Sequence, residues 1–240
     1  MILTILSNRG GVGKSTVSGN LGIALSQHGK RTLVVEGDLG ATSLHMVLGV
    51  TPSMDNFKDV LDGRAMVEDA LIEGAYKNLN ILPNKIKLKD LYDADLFKFV
   101  DIIFDVSKNY DYVIVDGPAG IGKNALVAMR MADELILVTN PNPQSISATL
   151  KLKKVAEALS VKIRGIVLNK VPPAIGKGII KQVERYFELP LLATIPLEDK
   201  AEDCFRRKRP ILTEYPTNRV SKEIEKIANS IITTSDISSA

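Results

Sequence analysis

The sequence predicts an α/β fold: a doubly wound, mainly parallel sheet of about seven to eight strands with helices on both faces. Three observations carry this expectation. Short runs of consecutive apolar residues recur along the chain, as strands buried on both faces read. Longer segments of helical periodicity lie between them, so the order is repeatedly β-α-β. The 240 residues contain no linker-like break, which favours one domain over two.

The elements follow in order. Ile2–Leu6 is the first strand, and it leads through a glycine-rich loop into a helix over Ser15–His28. Strands Thr32–Glu36 and Leu79–Leu82 come next, then a helix over Leu96–Lys108. The strand Tyr112–Asp116 closes on a carboxylate. Leu135–Thr139 precedes a helix over Gln144–Leu159, whose Ile146, Leu150 and Leu159 would face the body. Its Lys151 and Lys154 are three apart and share a solvated face. Gly165–Leu168, a helix over Gly176–Phe187 and the strand Leu191–Ile195 follow. The last helix, Ser221–Ile232, sets Ile224, Ile227, Ala228 and Ile231 at helical spacing. Its other face balances Lys222 and Lys226 against Glu223 and Glu225, which suits packing on a sheet better than lying on a membrane. The expected organisation is one domain over 1–232 with a flexible Ser/Thr-rich tail over 233–240.

Composition narrows the function classes. Hydrophobic residues at 45% and charged residues at 25% exclude wholesale disorder. The charge difference, 31 − 28 = +3, is too small for a dedicated nucleic-acid coat. Cys204 stands alone, which excludes an internal disulfide or a multi-cysteine metal site. His28 and His45 are too separated for a zinc site, and His28 and Cys204 read as structural. No apolar run reaches the roughly 18 residues of a membrane span, and the first residues lack a signal-peptide pattern. A cytoplasmic protein is expected, with any membrane association routed through a partner.

The chemistry gathers after the strands, where ligands bind in such sheets. The loop Asn8-Arg9-Gly10-Gly11-Val12-Gly13-Lys14-Ser15-Thr16 runs from strand to helix. Its glycines let backbone N–H groups converge on phosphate oxygens, and the helix start adds partial positive charge. Lys14 is placed for the β- and γ-phosphates, and the Ser15 hydroxyl for Mg2+. The strict phosphate-loop pattern has Gly where this chain has Asn8. Asn tolerates positive φ, so the loop is expected still to close.

These residues resemble the deviant Walker A motif, KGGxGK[ST], of the MinD/ParA ATPases. The resemblance extends through Val47-Leu48-Gly49-Val50, Asp116-Gly117-Pro118-Ala119-Gly120, Val138-Thr139-Asn140-Pro141 and Val167-Leu168-Asn169-Lys170, nearest to archaeal MinD-like proteins. It implies a P-loop NTPase fold, ATP or ADP with Mg2+ as ligands, and a slowly hydrolysing switch that forms a homodimer on binding ATP. Arg9 takes the place of the family's signature lysine, which reaches the partner's nucleotide across the dimer. Asp116 resembles a Walker B aspartate that holds Mg2+, and Gly117–Gly120 resembles switch II. Asp38 fits the residue that orients the attacking water. Glu36 stands where the family has a first aspartate, its charge moved by about 1.5 Å. The implied catalytic residues are Lys14, Asp38 and Arg9. The implied nucleotide contacts are Gly10, Gly11, Val12, Gly13, Lys14, Ser15, Thr16, Asn169 and Pro196. Ser15 and Asp116 are the implied metal-side residues, with Asp38 and Glu36 as further candidates.

GTPases commonly carry NKxD, whose aspartate reads guanine. Here Pro172 holds that position in Asn169-Lys170-Val171-Pro172, and proline offers no side-chain acceptor. ATP is therefore expected over GTP. The leading process is MinD-like positioning of a division site or a cell-surface machine, with an unidentified regulatory protein as partner. A ParA-like DNA-segregating ATPase is the alternative, and a metallochaperone-type ATPase a weaker one. Arg206–Arg209 is the densest basic cluster, but Glu202 and Asp203 lie four residues before Arg206 and Arg207, which suggests ion pairs rather than DNA. Direct membrane binding is not expected either. Asn142 replaces a family glutamate after Asn140.

Overall fold

The apolar runs become the strands of one sheet. A computed structural model describes residues 1–39, 43–52, 57–86, 94–175 and 177–238. The strands are β1 (Ile2–Ser7), β2 (Thr32–Glu36), β3 (Ile72–Tyr76), β4 (Leu79–Leu82), β5 (Tyr112–Ala119), β6 (Glu134–Thr139), β7 (Ile163–Val171) and β8 (Leu191–Pro196). Their order across the sheet is β3-β4-β2-β5-β1-β6-β7-β8. Neighbours pair in parallel except β3, which runs antiparallel to β4 at one edge.

The main helices are α1 (Lys14–Gln27), α5 (Leu96–Ser107), α6 (Lys123–Arg130), α7 (Pro143–Ala158), α8 (Lys177–Phe187), α9 (Asp199–Arg206) and α11 (Arg219–Ser238). Short helices α2 (Leu44–Leu48), α3 (Lys58–Leu61), α4 (Val67–Ala70) and α10 (Ile211–Glu214) complete the described set. Alternate residues of each strand serve opposite faces. Leu3 and Ile5 of β1 join the core under α1 and α11, while Ile2 and Leu6 join the core under α5 to α8. Both faces are thus dry, which is why the strands read as continuous apolar runs. Ile224, Ile227, Ala228 and Ile231 are all buried, and α11 packs on β8 and α1.

Several boundaries differ from the sequence expectation. β5 continues through Gly117-Pro118-Ala119, because Ser7 of β1 still pairs with Ala119 beyond a register shift. The last helix runs past Ile232 to Ser238, into the segment read as a tail. Arg206 pairs with Asp203 at 3.9 Å rather than with Glu202, while Arg207 pairs with Asp203 at 2.8 Å as the spacing suggested. Arg209 meets Glu214 at 3.1 Å. His28 binds Glu225 at 3.0 Å, and Cys204 is buried. No helix among the described residues is long and apolar enough to cross a membrane.

Topology positions the site. β1 lies between β5 and β6, and the chain extends from this point toward β2 on one side and β7 on the other. A crevice opens at the carboxyl end of β1, where the phosphate loop begins.

Candidate nucleotide-binding site

The loop closes on its glycines. Gly11 (φ 75°) and Gly13 (φ 97°) hold left-handed conformations, whereas Asn8 does not need one. Asn8 instead donates its side-chain amide to the Ala148 carbonyl of α7 at 2.7 Å, and Ser7 Oγ donates to the Arg9 carbonyl at 2.7 Å. A Cβ built on Gly10 or Gly11 would meet nothing within 4 Å, so the backbone there faces an open cradle.

That cradle is one end of a cleft of about 640 Å³, a size suited to a nucleotide. Gly10, Gly11, Gly13, Lys14, Ser15 and Thr16 form its phosphate end. Asp38, Ser43 and Asp116 form a carboxylate-and-hydroxyl side. Asn169, Lys170, Pro196 and the apolar Leu197, Phe205 and Ile224 form the far end. Most residues singled out from the sequence therefore share one wall. Val12 is buried behind it and contributes its carbonyl to the loop's support. Arg9 is exposed and lies outside the wall, as does Glu36.

Asp116 is 4% exposed at the centre. Ser18 Oγ, one turn along α1 from Lys14, donates to its Oδ1 at 2.9 Å. Burial pushes the Asp116 carboxyl up from its ordinary range, against the opposing pull of Ser15, Lys14 and Ser18. A cation beside it would remove that penalty. The Ser15 and Ser43 hydroxyls are 2.7 Å apart in the same wall. Oxygen donors around a buried carboxylate fit Mg2+, which takes few protein ligands and shares the rest with phosphates and water. Among the described residues there is no group of three or more His, Cys, Asp or Glu that could hold a metal ion.

Glu36 lies behind the cleft wall rather than in it. Its carboxylate is 1% exposed and accepts the backbone N–H groups of Ser43 and, at 2.8 Å, Leu44. It thereby caps α2 and fixes Ser43 beside Ser15. Burial raises its pKa to about 7, opposed by the N–H groups of Leu44, Ser43 and Asn84 and reinforced by the charge of Asp116.

At the far end, Asn169 donates Nδ2 to the Val12 carbonyl at 2.7 Å. A carbonyl only accepts, so this bond fixes the amide orientation and leaves Oδ1 as the acceptor. Asn140 bonds the Asn169 carbonyl at 2.9 Å, and Lys170 Nζ bonds the Gly11 carbonyl at 2.9 Å. Asn142 caps α7 through the Ser145 N–H at 2.8 Å, and Lys151 and Lys154 are exposed on that helix. Ser18, Ser43 and Lys170 carry no role in the motif reading. Ser18 was findable from its position one turn after Lys14, whereas Ser43 and Lys170 are set by tertiary contacts.

A parallel sheet with this loop after its central strand defines a P-loop nucleotide-binding protein. Two family models match: an AAA domain over residues 1–165 and a NUBPL iron-transfer P-loop NTPase over residues 99–232. An uncharacterized ATP-binding protein of Methanocaldococcus jannaschii is 30% identical over 96% of this chain and 87% of its own length. The septum site-determining protein MinD of Pyrococcus horikoshii, solved with Mg-ADP, superposes with a TM-score of 0.88 at 31% identity, covering 98% of this chain and 97% of that one. MinD in the MinC:MinD complex of Aquifex aeolicus gives 0.86 at 27% identity, covering 97% and 95%. The chain belongs to the MinD/ParA family of P-loop ATPases.

Proposed function

We propose that this protein is an ATP-dependent dimerisation switch of the MinD type, which hydrolyses ATP slowly and positions a division site or a cell-surface machine. The observation that carries this reading is the single cleft joining Lys14, Ser15, Asp38 and Asp116 to Asn169. The Asn169 acceptor suits the 6-amino group of adenine and opposes the 6-oxo group of guanine. Lys14 neutralises the β- and γ-phosphates, and the loop N–H groups hold them in line. Ser15 and Asp116 would hold Mg2+, which when bound neutralises charge on the phosphate oxygens. Asp38 orients the attacking water. Dimerisation would bring Arg9 to the phosphates of a second copy.

The solved MinC:MinD complex supports a regulatory protein partner for this chain as well. Arg206, Arg207 and Arg209 spend their charge on Asp203 and Glu214, which weighs against the ParA-like reading of that cluster as a DNA surface. The protein would work in the cytoplasm and reach a membrane only through a partner.

Two substitutions separate binding from turnover. Lys14→Ala should weaken ATP binding by about 10- to 100-fold, the worth of charge-assisted bonds to phosphate. Asp38→Ala should bind ATP normally, lose on the order of 100-fold in turnover and accumulate as a dimer. Unchanged phosphate release by Asp38→Ala would sink its assignment.

A further inference from the structure

Lys170 is the first residue after Asn169 near the end of β7, and its side chain bonds the phosphate loop. Its backbone has φ 56°, a left-handed conformation that costs a side-chain-bearing residue energy and favours glycine. Strain of this kind persists where the surroundings use it. The side chain crosses to the phosphate loop, and its Nζ donates to the Gly11 carbonyl at 2.9 Å. It also lines the cleft beside Gly11 and Gly13.

The bond has a direct consequence for the loop. A peptide unit points its carbonyl and the next N–H in opposite directions. Holding the Gly11 carbonyl toward Lys170 therefore turns the Val12 N–H the other way. Asn169 treats the next peptide alike, holding the Val12 carbonyl and so orienting the Gly13 N–H. A charged donor on a carbonyl also polarises that peptide and makes its N–H a stronger donor. Glycine-rich loops need such help, because Gly11 and Gly13 have wide conformational freedom when no ligand fixes them.

We propose that Lys170 is a positioning residue for the phosphate loop: it presets the Gly11–Val12 peptide for anionic phosphate and does not read the base. The proposal rests on the nucleotide reading of the cleft. It extends that reading to a group outside the glycine-rich motif that governs affinity for the phosphate chain.

The test uses the full chain and three ligands: Mg-ATP, inorganic tripolyphosphate with Mg2+, and adenosine. Calorimetric titration of the wild type should show Mg-ATP and tripolyphosphate binding in competition. Lys170→Met keeps the stem and removes the ammonium. It should weaken both phosphate ligands by about tenfold, the size of one charge-assisted bond at the exposed end of the scale, and leave adenosine unchanged. Lys170→Arg should restore much of the loss. Lys170→Gly relieves the left-handed strain, so it should melt no lower than the wild type while binding phosphate as weakly as Lys170→Met. A merely structural lysine would give the reverse, a lower melting temperature with affinity kept.

Two results overturn the proposal while leaving the nucleotide site intact. One is a Lys170→Met protein that loses ATP affinity but keeps tripolyphosphate affinity, which would place Lys170 on the base or ribose. The other is unchanged affinity for both phosphate ligands. A wild type that binds neither Mg-ATP nor tripolyphosphate would instead bring down the nucleotide reading, and this proposal with it.

Discussion

Gly13 precedes α1 with φ 97°, and a Cβ built there would lie 2.2 Å from Asn169 Nδ2. The absence of a side chain thus serves two ends: it permits the turn into the helix, and it lets the Asn169 amide reach the Val12 carbonyl. Gly13→Ala should lose about 1–2 kcal/mol from the left-handed backbone alone. At about 2–4 °C per kcal/mol for a chain of this size, the melting temperature should fall by several degrees. Nucleotide affinity should fall too, since the methyl displaces the amide that orients the loop. Thermal melts and ADP titrations of the variant read both effects. A Gly13→Ala protein that matches the wild type in both would show that loop and amide re-form around the methyl. The same interdependence explains Glu36. From the sequence it is a lengthened aspartate near the metal. In the fold its carboxylate accepts the Ser43 and Leu44 N–H groups at the start of α2.

Glu134 and Arg164 clasp β6 to β7 at the end of the sheet away from the cleft, with side chains only 7% and 8% exposed. Burial alone would raise the Glu134 carboxyl, but the hydrogen bond from Lys162 and the charge of Arg164 outweigh it and hold the pKa below its ordinary value. A carboxyl depressed in the folded state stabilises above its unfolded pKa, and that stabilisation is lost as pH falls through the folded value. Glu134→Gln should therefore cost about 3 kcal/mol at pH 7, because Arg164 stays buried without its counter-charge. The deficit should shrink as pH falls through the folded-state value, which lies below the ordinary glutamate range, because the wild type then protonates as well. Melting curves at pH 7 and pH 3 give the answer, and an equal deficit at both would assign the effect to packing. Seven of the eight strands were legible as apolar runs, most clearly β1, β2, β5 and β6, whose residues are buried almost throughout. β3 was not: its burial is intermediate to exposed, and Gly74, in left-handed conformation, interrupts it. α6 buries small Ala125 and Ala128 with Met129, too weak a stripe to stand out beside its flanking glycines. That the phosphate loop, Asp38 and Asp116 meet in one cleft was legible, because each lies toward or beyond the carboxyl end of a strand. Ser43 and Lys170 were not, since their contacts arise only when β2, α2 and β7 converge on the loop.

For the whole molecule, the position of Arg9 decides whether one chain is enough. The loop it belongs to lines the cleft, yet Arg9 itself is exposed and stands outside the wall. A cation so placed gives its own nucleotide little, whereas a second copy apposed at the cleft mouth would present phosphates to it. Its planar guanidinium can take two phosphate oxygens at once, which makes such a contact directional. The net charge of +3 per chain leaves only modest repulsion between copies, so one pair of bidentate contacts can tip the association. Arg9→Ala should then bind a non-hydrolysable ATP analogue within about twofold of the wild type but remain monomeric, since only the contact across the interface is lost. Arg9→Lys keeps the charge without the fork and should dimerise at higher protein concentration. Light scattering over a concentration series with the analogue and Mg2+ distinguishes these states. If Arg9→Ala dimerises as readily as the wild type, Arg9 is a local surface charge and the switch must close through other contacts. If Arg9→Ala instead loses analogue affinity as a monomer, the residue serves its own cleft, and the ATP-dependent dimer loses the feature that most favours it.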